Sequence, residues 1–175
     1  PLAELTPPEA QGYLAVVFRA GDARFQAMRR TFVKAVRFVS AGVGDAGLCT
    51  VAGRRDLACA DTVLFDDLLG KELISPSPSA QHVIPVGKRC GAHSMKQPDI
   101  TRLICDEARK GRRVVRLKGG DAGLFGRLAE ETDALTALGI PFLVRPGVSA
   151  LTAGTTGMWL LLTRRGESTG FTVYT

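Results

Sequence analysis

Aromatic residues are scarce in this 175-residue chain, at 6%, and they are not interleaved with the basic ones. That argues against the stacking platforms on which single-stranded nucleic acid is held. No nucleic-acid recognition motif is present either. Histidine is rarer still, with His82 and His93 only. The four cysteines, at 49, 59, 90 and 105, include no C-x-x-C pair. Structural zinc usually draws its ligands from such close pairs, so no metal site is expected. Two disulfides can be drawn on paper, but free thiols in a reducing cytosol are the expectation. No apolar run approaches the ~18 residues that suggest a membrane span. The opening PLAELTPPEA has neither the basic start nor the apolar stretch of a secretory signal. A cytoplasmic protein with no membrane and no nucleic-acid partner is therefore expected.

What is present is globular composition: 45% hydrophobic and 23% charged residues. The length suits one domain, or one domain plus a fragment of another. A net charge of +6 suits acidic partners, such as a polycarboxylate or phosphate ligand. Short β-favouring runs alternate with helical stretches. Strands are predicted at 13–18, 36–41, 62–65, 82–86 (broken by Pro85), 113–117 and 141–144. Helices are predicted over 22–36 with Asp22 as N-cap, over 48–60, over 97–110 closed by Gly111, and over 128–138 closed by Gly139. Most of the strands are too apolar to be half-exposed. The predicted fold class is therefore α/β, a mainly parallel sheet with helices on both faces.

In such sheets ligands bind at the carboxyl ends of the strands. Three strand ends carry residues suited to that. Gly42-Val43-Gly44-Asp45-Ala46-Gly47 matches G-x-G-x-x-G, and Asp66 lies 19 residues beyond Gly47. This is the spacing of a dinucleotide site, and equally that of a tight strand-to-helix turn. Lys118-Gly119-Gly120-Asp121 follows another strand; its glycines let a ligand approach the backbone, or simply form a turn. Pro146-Gly147 precedes Ser149, which can bond a ligand, cap a helix, or do both. The basic residues Arg109, Lys110, Arg112, Arg113, Arg116 and Lys118 read as a solvated face. Lys88 and Arg89 differ, because they sit in a glycine-flanked loop where a lysine can bind a carboxylate or act as an acid. His93 reads as a surface or packing residue.

Together these segments resemble the tetrapyrrole methylases, in the branch of the uroporphyrinogen-III C-methyltransferases. The resembling text is VSAGVGD at 39–45, ADTVLFDDLL at 60–69, VGKRCGAHSMKQPDI at 86–100, GRRVVRLKGGD at 111–121, LFGR at 124–127, GIPFLVRPGVSA at 139–150 and LTRRG at 162–166. The resemblance implies the N-terminal domain fold of that family. It also implies an enzyme that uses S-adenosyl-L-methionine to methylate uroporphyrinogen III to precorrin-2, toward sirohaem and corrinoids, acting as a homodimer. By the same resemblance Asp66 matches the base and Lys88 a lysine near the substrate. Gly42 and Gly44 match the N-terminal glycine loop. Gly119, Gly120, Asp121 and Leu124 match the cofactor loop, and Ser149 and Ala150 match a Thr-Ala pair that also touches the cofactor. With Lys88, Arg89 and Arg116 suit the carboxylates of such a substrate.

The chain also departs from the family's pattern. The usual G-A-G-P-G-D reads Ser40-Ala41-Gly42-Val43-Gly44-Asp45. The usual G-G-D-P-F-I-F-G-R reads Gly119-Gly120-Asp121-Ala122-Gly123-Leu124-Phe125-Gly126-Arg127, with Leu128-Ala129 in place of the following Gly-Gly. Lost prolines change loop stiffness, and Gly123 adds freedom. Three segments follow from the resemblance. Residues 1–35 form a strand-helix segment, similar to part of the precorrin-2 dehydrogenase domain of bifunctional sirohaem synthases. Residues 36–162 form the methylase N-terminal domain, and 163–175 the start of a second, truncated methylase domain. The alternatives are a non-catalytic fragment or partner subunit, motivated by that missing half, and an NAD-binding oxidoreductase, motivated by residues 42–47 with Asp66.

Overall fold

Five short runs rich in Val, Leu, Ile and Phe form a wholly parallel sheet in the computed structural model, which describes residues 33–66, 69, 71–74, 80, 82–87 and 95–174. The strands are β1 (Val36–Ser40), β2 (Thr62–Phe65), β3 (His82–Pro85), β4 (Val114–Lys118) and β5 (Phe142–Arg145). Their order across the sheet is β3-β2-β4-β1-β5. The helices are α1 (Val51–Ala58), the single turn α2 (Lys71–Ile74), α3 (Gln97–Arg109), α4 (Leu128–Ala137) and α5 (Ala150–Gly157). The described residues fall within one of the two units into which the chain divides, residues 32–175.

Side-chain alternation along the strands splits the core between two faces. On one face Val36, Phe38, Leu64 and Val114 pack with Ile100, Ile104, Cys105 and Ala108 of α3 and Leu135 of α4. On the other, Val39, Val63, Phe65, Val115 and Leu117 pack with Leu57 of α1, Leu73 of α2 and Cys49. The second face is also tied by charge. Asp56 of α1 accepts from Arg37 of β1 and, at 2.7 Å, from Arg145 of β5. β4 lies at the centre and all five of its residues are buried. β3 and β5 are the edges, and Pro85, which has no N–H to donate, ends an edge strand.

The predicted α/β fold and parallel sheet are observed, with β2 at its predicted bounds and the other described strands shifted or shortened by one residue at an end. The strand at 13–18 and most of the helix predicted over 22–36 lie outside the described residues. The described end of that helix is corrected, because residues 33–35 are irregular and Val36 opens β1. The helix predicted over 48–60 is shorter: a 3₁₀ turn (Ala46–Leu48) comes first, and α1 starts after Thr50, whose hydroxyl caps it by accepting from Gly53 N at 3.1 Å. Cys49, Cys59 and Cys105 are free thiols. Among the described residues no helix is long and apolar enough to cross a membrane.

Glu107, on α3, is 3% exposed. Burial alone would push its carboxyl up. Hydrogen bonds from Lys110 at 2.7 Å, from Arg112 and from Thr62 at 2.8 Å outweigh burial and hold it at about 2, against an ordinary 4.5. A carboxyl held low in the folded state adds stability that is complete above its unfolded value and is lost as the pH falls through the folded one. The difference corresponds to roughly 3 kcal/mol. Urea unfolding should therefore show stability falling from about pH 5 to pH 2, with a shallower fall in Glu107→Gln. An identical acid limb in the variant would remove Glu107 as its source.

Candidate active site

Three loops meet where β4, β1 and β5 end. Backbone pairing of β1 with β4 runs past the strands: Ala41 N donates to Lys118 O at 2.8 Å, Gly120 N to Gly42 O at 2.8 Å, and Gly42 N to Gly120 O at 3.2 Å. Gly42 makes this possible. Its φ is +75°, and a Cβ there would sit 2.7 Å from that of Leu48. The third loop joins through Gly147, where a Cβ would lie 2.4 Å from the Ser40 Cβ. Asp121 spans two of the loops, with Oδ1 accepting from Gly123 N at 2.8 Å and Oδ2 from Gly147 N at 2.9 Å. The Ser40 hydroxyl accepts from Ala122 N at 2.9 Å, and the Cys49 thiol, raised by burial, faces the Ser40 carbonyl at 3.9 Å.

Beside these loops lies a buried cluster of charge on the face of the sheet covered by α3 and α4. Glu131 of α4 is fully buried and accepts from Arg116 Nε at 3.3 Å, Lys118 Nζ at 3.1 Å and Gln97 Nε2 at 2.9 Å. Arg116 also donates to Leu117 O at 2.9 Å and to Asp66 Oδ1 at 2.6 Å. Burial, and after it the Arg116 charge, lowers the Lys118 ammonium below its ordinary range, against the pull of Glu131. Asp66 directly follows β2, with its side chain 31% exposed. The arrangement offers main-chain donors and acceptors around glycine surfaces, and one oriented carboxylate reachable from outside. That suits holding a ligand and accepting a proton.

The structure brings Gly42, Gly119, Gly120 and Asp121 into one rim, and Gly44, at φ +83°, lies in the loop that leaves Gly42. Ala150 belongs to it as well, since its N lies 3.8 Å from where a Gly120 Cβ would stand. Ser149 caps α5, its hydroxyl accepting from Leu151 N at 3.2 Å. Leu124 is 49% exposed on the same loop. Lys88, Arg89 and His93 lie outside the described residues. Two expectations are corrected. The basic run is not all solvated, because alternation along β4 sends Arg116 and Lys118 into the interior, at 2% and 4% exposed. Arg116 is therefore not placed to take an external carboxylate; its guanidinium already serves Asp66, Glu131 and a carbonyl.

The dinucleotide reading of 42–47 is corrected too. It needs a glycine turn that opens directly into a helix. Here Asp45 caps a 3₁₀ turn instead, accepting from Gly47 N at 2.7 Å, and α1 begins only later. Asp66, which would have held a ribose, is bonded to Arg116. Sequence reasoning missed Glu131 and Ser40 as builders of the site, and it had Lys118 in the right loop but not its buried side chain. Glu131 did leave a trace, since it stands between Leu128 and Leu135 on the apolar side of α4.

The family model for Tetrapyrrole (Corrin/Porphyrin) Methylases matches residues 35–174. "Siroheme synthase 2" of Pectobacterium atrosepticum is 44% identical over 140 residues, which are 80% of this chain and 30% of that protein. "Uroporphyrinogen-III C-methyltransferase" of Methanocaldococcus jannaschii is 41% identical over 140 residues, 80% of this chain and 58% of that one. The crystal structure of the Thermus thermophilus uroporphyrin-III C-methyl transferase complexed with S-adenosyl homocysteine superposes with a TM-score of 0.64 at 39% identity, over 76% of this chain and 55% of that one. The chain thus spans less than two thirds of each of these relatives. Neither the nicotinamide reading nor the non-catalytic one gains support from these matches.

Removing one member of a buried ion cluster leaves the others buried without compensation, at a cost of about 3–5 kcal/mol. Glu131→Ala should lose about that much in urea unfolding, and Glu131→Gln, which keeps an acceptor, clearly less. Equal losses would show that volume rather than charge decides at this position.

Proposed function

The chain belongs to the tetrapyrrole methylases, and we propose that it binds S-adenosyl-L-methionine and C-methylates uroporphyrinogen III to precorrin-2, in sirohaem and corrinoid synthesis. The observation that carries this reading is the convergence of the 42–47, 119–123 and 146–150 loops on one rim beside Asp66. The likeness to a Thermus protein complexed with S-adenosyl homocysteine supports the cofactor. The residues fit such a group. A Cβ at Gly44 would meet nothing within 4 Å, and one at Gly119 only Leu69 at 3.8 Å, so a planar ring can approach the main chain. Leu124 adds an exposed apolar edge.

In this reading Gly42, Gly44, Gly119, Gly120, Asp121, Leu124, Ser149 and Ala150 line the cofactor, while Asp121 also ties two of the loops together and Ser149 also caps α5. Bound S-adenosyl-L-methionine supplies an electrophilic methyl group on a sulfonium. The rim's task is orientation, which removes much of the entropic barrier to a two-body reaction. Methylation of a fully substituted ring carbon would leave the ring cationic, the charge would be discharged by loss of a proton from a neighbouring position of the ring system, and Asp66 would accept that proton. Arg116 orients that carboxylate through its 2.6 Å bond. Lys88 and Arg89 are assigned to the substrate's carboxylates, with Lys88 also an acid.

The domain reading stands as a proposal: 1–35 a remnant of a dehydrogenase domain, 36–162 the first methylase domain, and 163–175 the start of a second. Assembly as a homodimer is supported by exposed apolar surface of the kind that marks interfaces, the four successive residues Met158, Trp159, Leu160 and Leu161 all being exposed. The free thiols Cys49, Cys59 and Cys105 support a cytoplasmic location.

Calorimetric titration of the 175-residue chain with S-adenosylhomocysteine should give saturable binding that Gly119→Val abolishes. A folded sample that binds none would overturn the cofactor assignment. Asp66→Asn should bind S-adenosylhomocysteine as the parent does and lose about 100-fold or more in methyl transfer to uroporphyrinogen III, the scale of a lost general base. Unchanged turnover would remove Asp66 from that role.

A further inference from the structure

Ser40 is the last residue of β1, is fully buried, and meets all three loops at once. Its carbonyl faces the Cys49 thiol, its Cβ fills the space that a side chain at Gly147 would need, and its hydroxyl accepts the amide of Ala122 across 82 positions of sequence. Ala122 is 1% exposed, so its N–H has no ready access to water and depends on a protein acceptor. Ser40 and Ala122 are also two of the positions at which this chain departs from the pattern it otherwise resembles, with serine in place of glycine and alanine in place of proline. The departures answer one another chemically. A proline at 122 would have a fixed φ and no N–H to satisfy. An alanine there frees φ and exposes a donor, just before Gly123 adds further freedom. The Ser40 hydroxyl supplies the acceptor that this donor requires.

We propose that Ser40 is a positioning residue for the Gly119–Gly123 loop, its hydroxyl bond to Ala122 holding that loop in place of a proline ring. The consequence for ligand affinity rests on the reading of this loop as the S-adenosyl-L-methionine loop; the loop-holding role does not. Ser40→Ala keeps the Cβ against Gly147 and removes only the hydroxyl. In the 175-residue chain, amide hydrogen exchange at Ala122 should then quicken by about five- to tenfold, the scale of one hydrogen bond. The calorimetric Kd for S-adenosylhomocysteine should rise by a similar factor. Adding Ala122→Pro to Ser40→Ala removes the orphaned donor, restores a fixed φ, and should return the Kd to within about twofold of the parent.

Unchanged Ala122 exchange in Ser40→Ala would overturn the proposal. Faster exchange with an unaltered Kd would overturn the consequence for ligand affinity and bear out the loop-holding role. A double variant that binds as weakly as Ser40→Ala would overturn the exchange of ring for hydroxyl. A parent chain that binds no S-adenosylhomocysteine, yet shows the Ala122 effect, would sink the cofactor reading and leave Ser40 as the residue that holds the loop.

Discussion

The side-by-side ending of β1 and β4 is the constraint on which the rest depends. The strand order β3-β2-β4-β1-β5 makes these two strands neighbours, yet the chain leaves β1 toward β2 and leaves β4 toward β5. Their connections therefore travel in opposite directions along the sheet, with α1 and α2 covering one face and α3 and α4 the other. Such a point opens a crevice at the carboxyl ends of the strands. Two glycines turn that crevice into a built rim, because Gly42 and Gly120 continue the β1–β4 pairing past the strands and fix where each loop begins. A side chain at Gly42 would strike Leu48 and break this pairing at its first step.

The buried charge beside the rim makes sense on the same basis. β4 is covered on both faces, so Arg116 and Lys118 cannot reach water from where alternation places them. Taking such charges out of water costs several kcal/mol each unless a partner and hydrogen bonds compensate. Glu131 provides that, with Gln97 as a further donor, and Arg116 extends the cluster to Asp66. Replacing the whole cluster with apolar residues is often neutral or better for stability. Stability alone therefore does not explain why charge sits here. What the cluster does, and an apolar core would not, is hold a carboxylate at the edge of the crevice in one orientation.

How much of this was legible follows from what each signal measures. Strands were readable because a parallel sheet covered on both faces demands unbroken apolar runs. TVLF supplies one, VRFVS and FLVR supply mostly apolar runs that each carry one arginine, and the bounds of all three fell within a residue or so. The glycine loops and Asp66 were readable because they stand where strands stop. Arg116 and Lys118 were misread as solvated, because the RRVVR stretch is basic in composition while its alternation is hidden by a strand that is buried on both sides. Composition cannot say which face a strand residue meets; that was decided by Glu131, some fifteen positions away on another element. The 3₁₀ turn at Ala46–Leu48 was equally hidden, since Asp45 and Thr50 are both good caps and the sequence does not choose between them.

The loop departures show how such a site keeps its shape when its stiffest residues are absent. Val43, Ala122 and Gly123 all give back conformational freedom, so each loop needs another source of order. That order comes from short-range groups already at the strand ends: the Gly42–Gly120 backbone pair, the two oxygens of Asp121, and the Ser40 hydroxyl and Cβ. Each is individually weak, worth about 1 kcal/mol for a typical net hydrogen bond. They act on the same few residues, however, so loosening one loop loosens the surface against which the next is packed. A rim built this way is rigid only as a set, and changes within it are expected to be strongly non-additive.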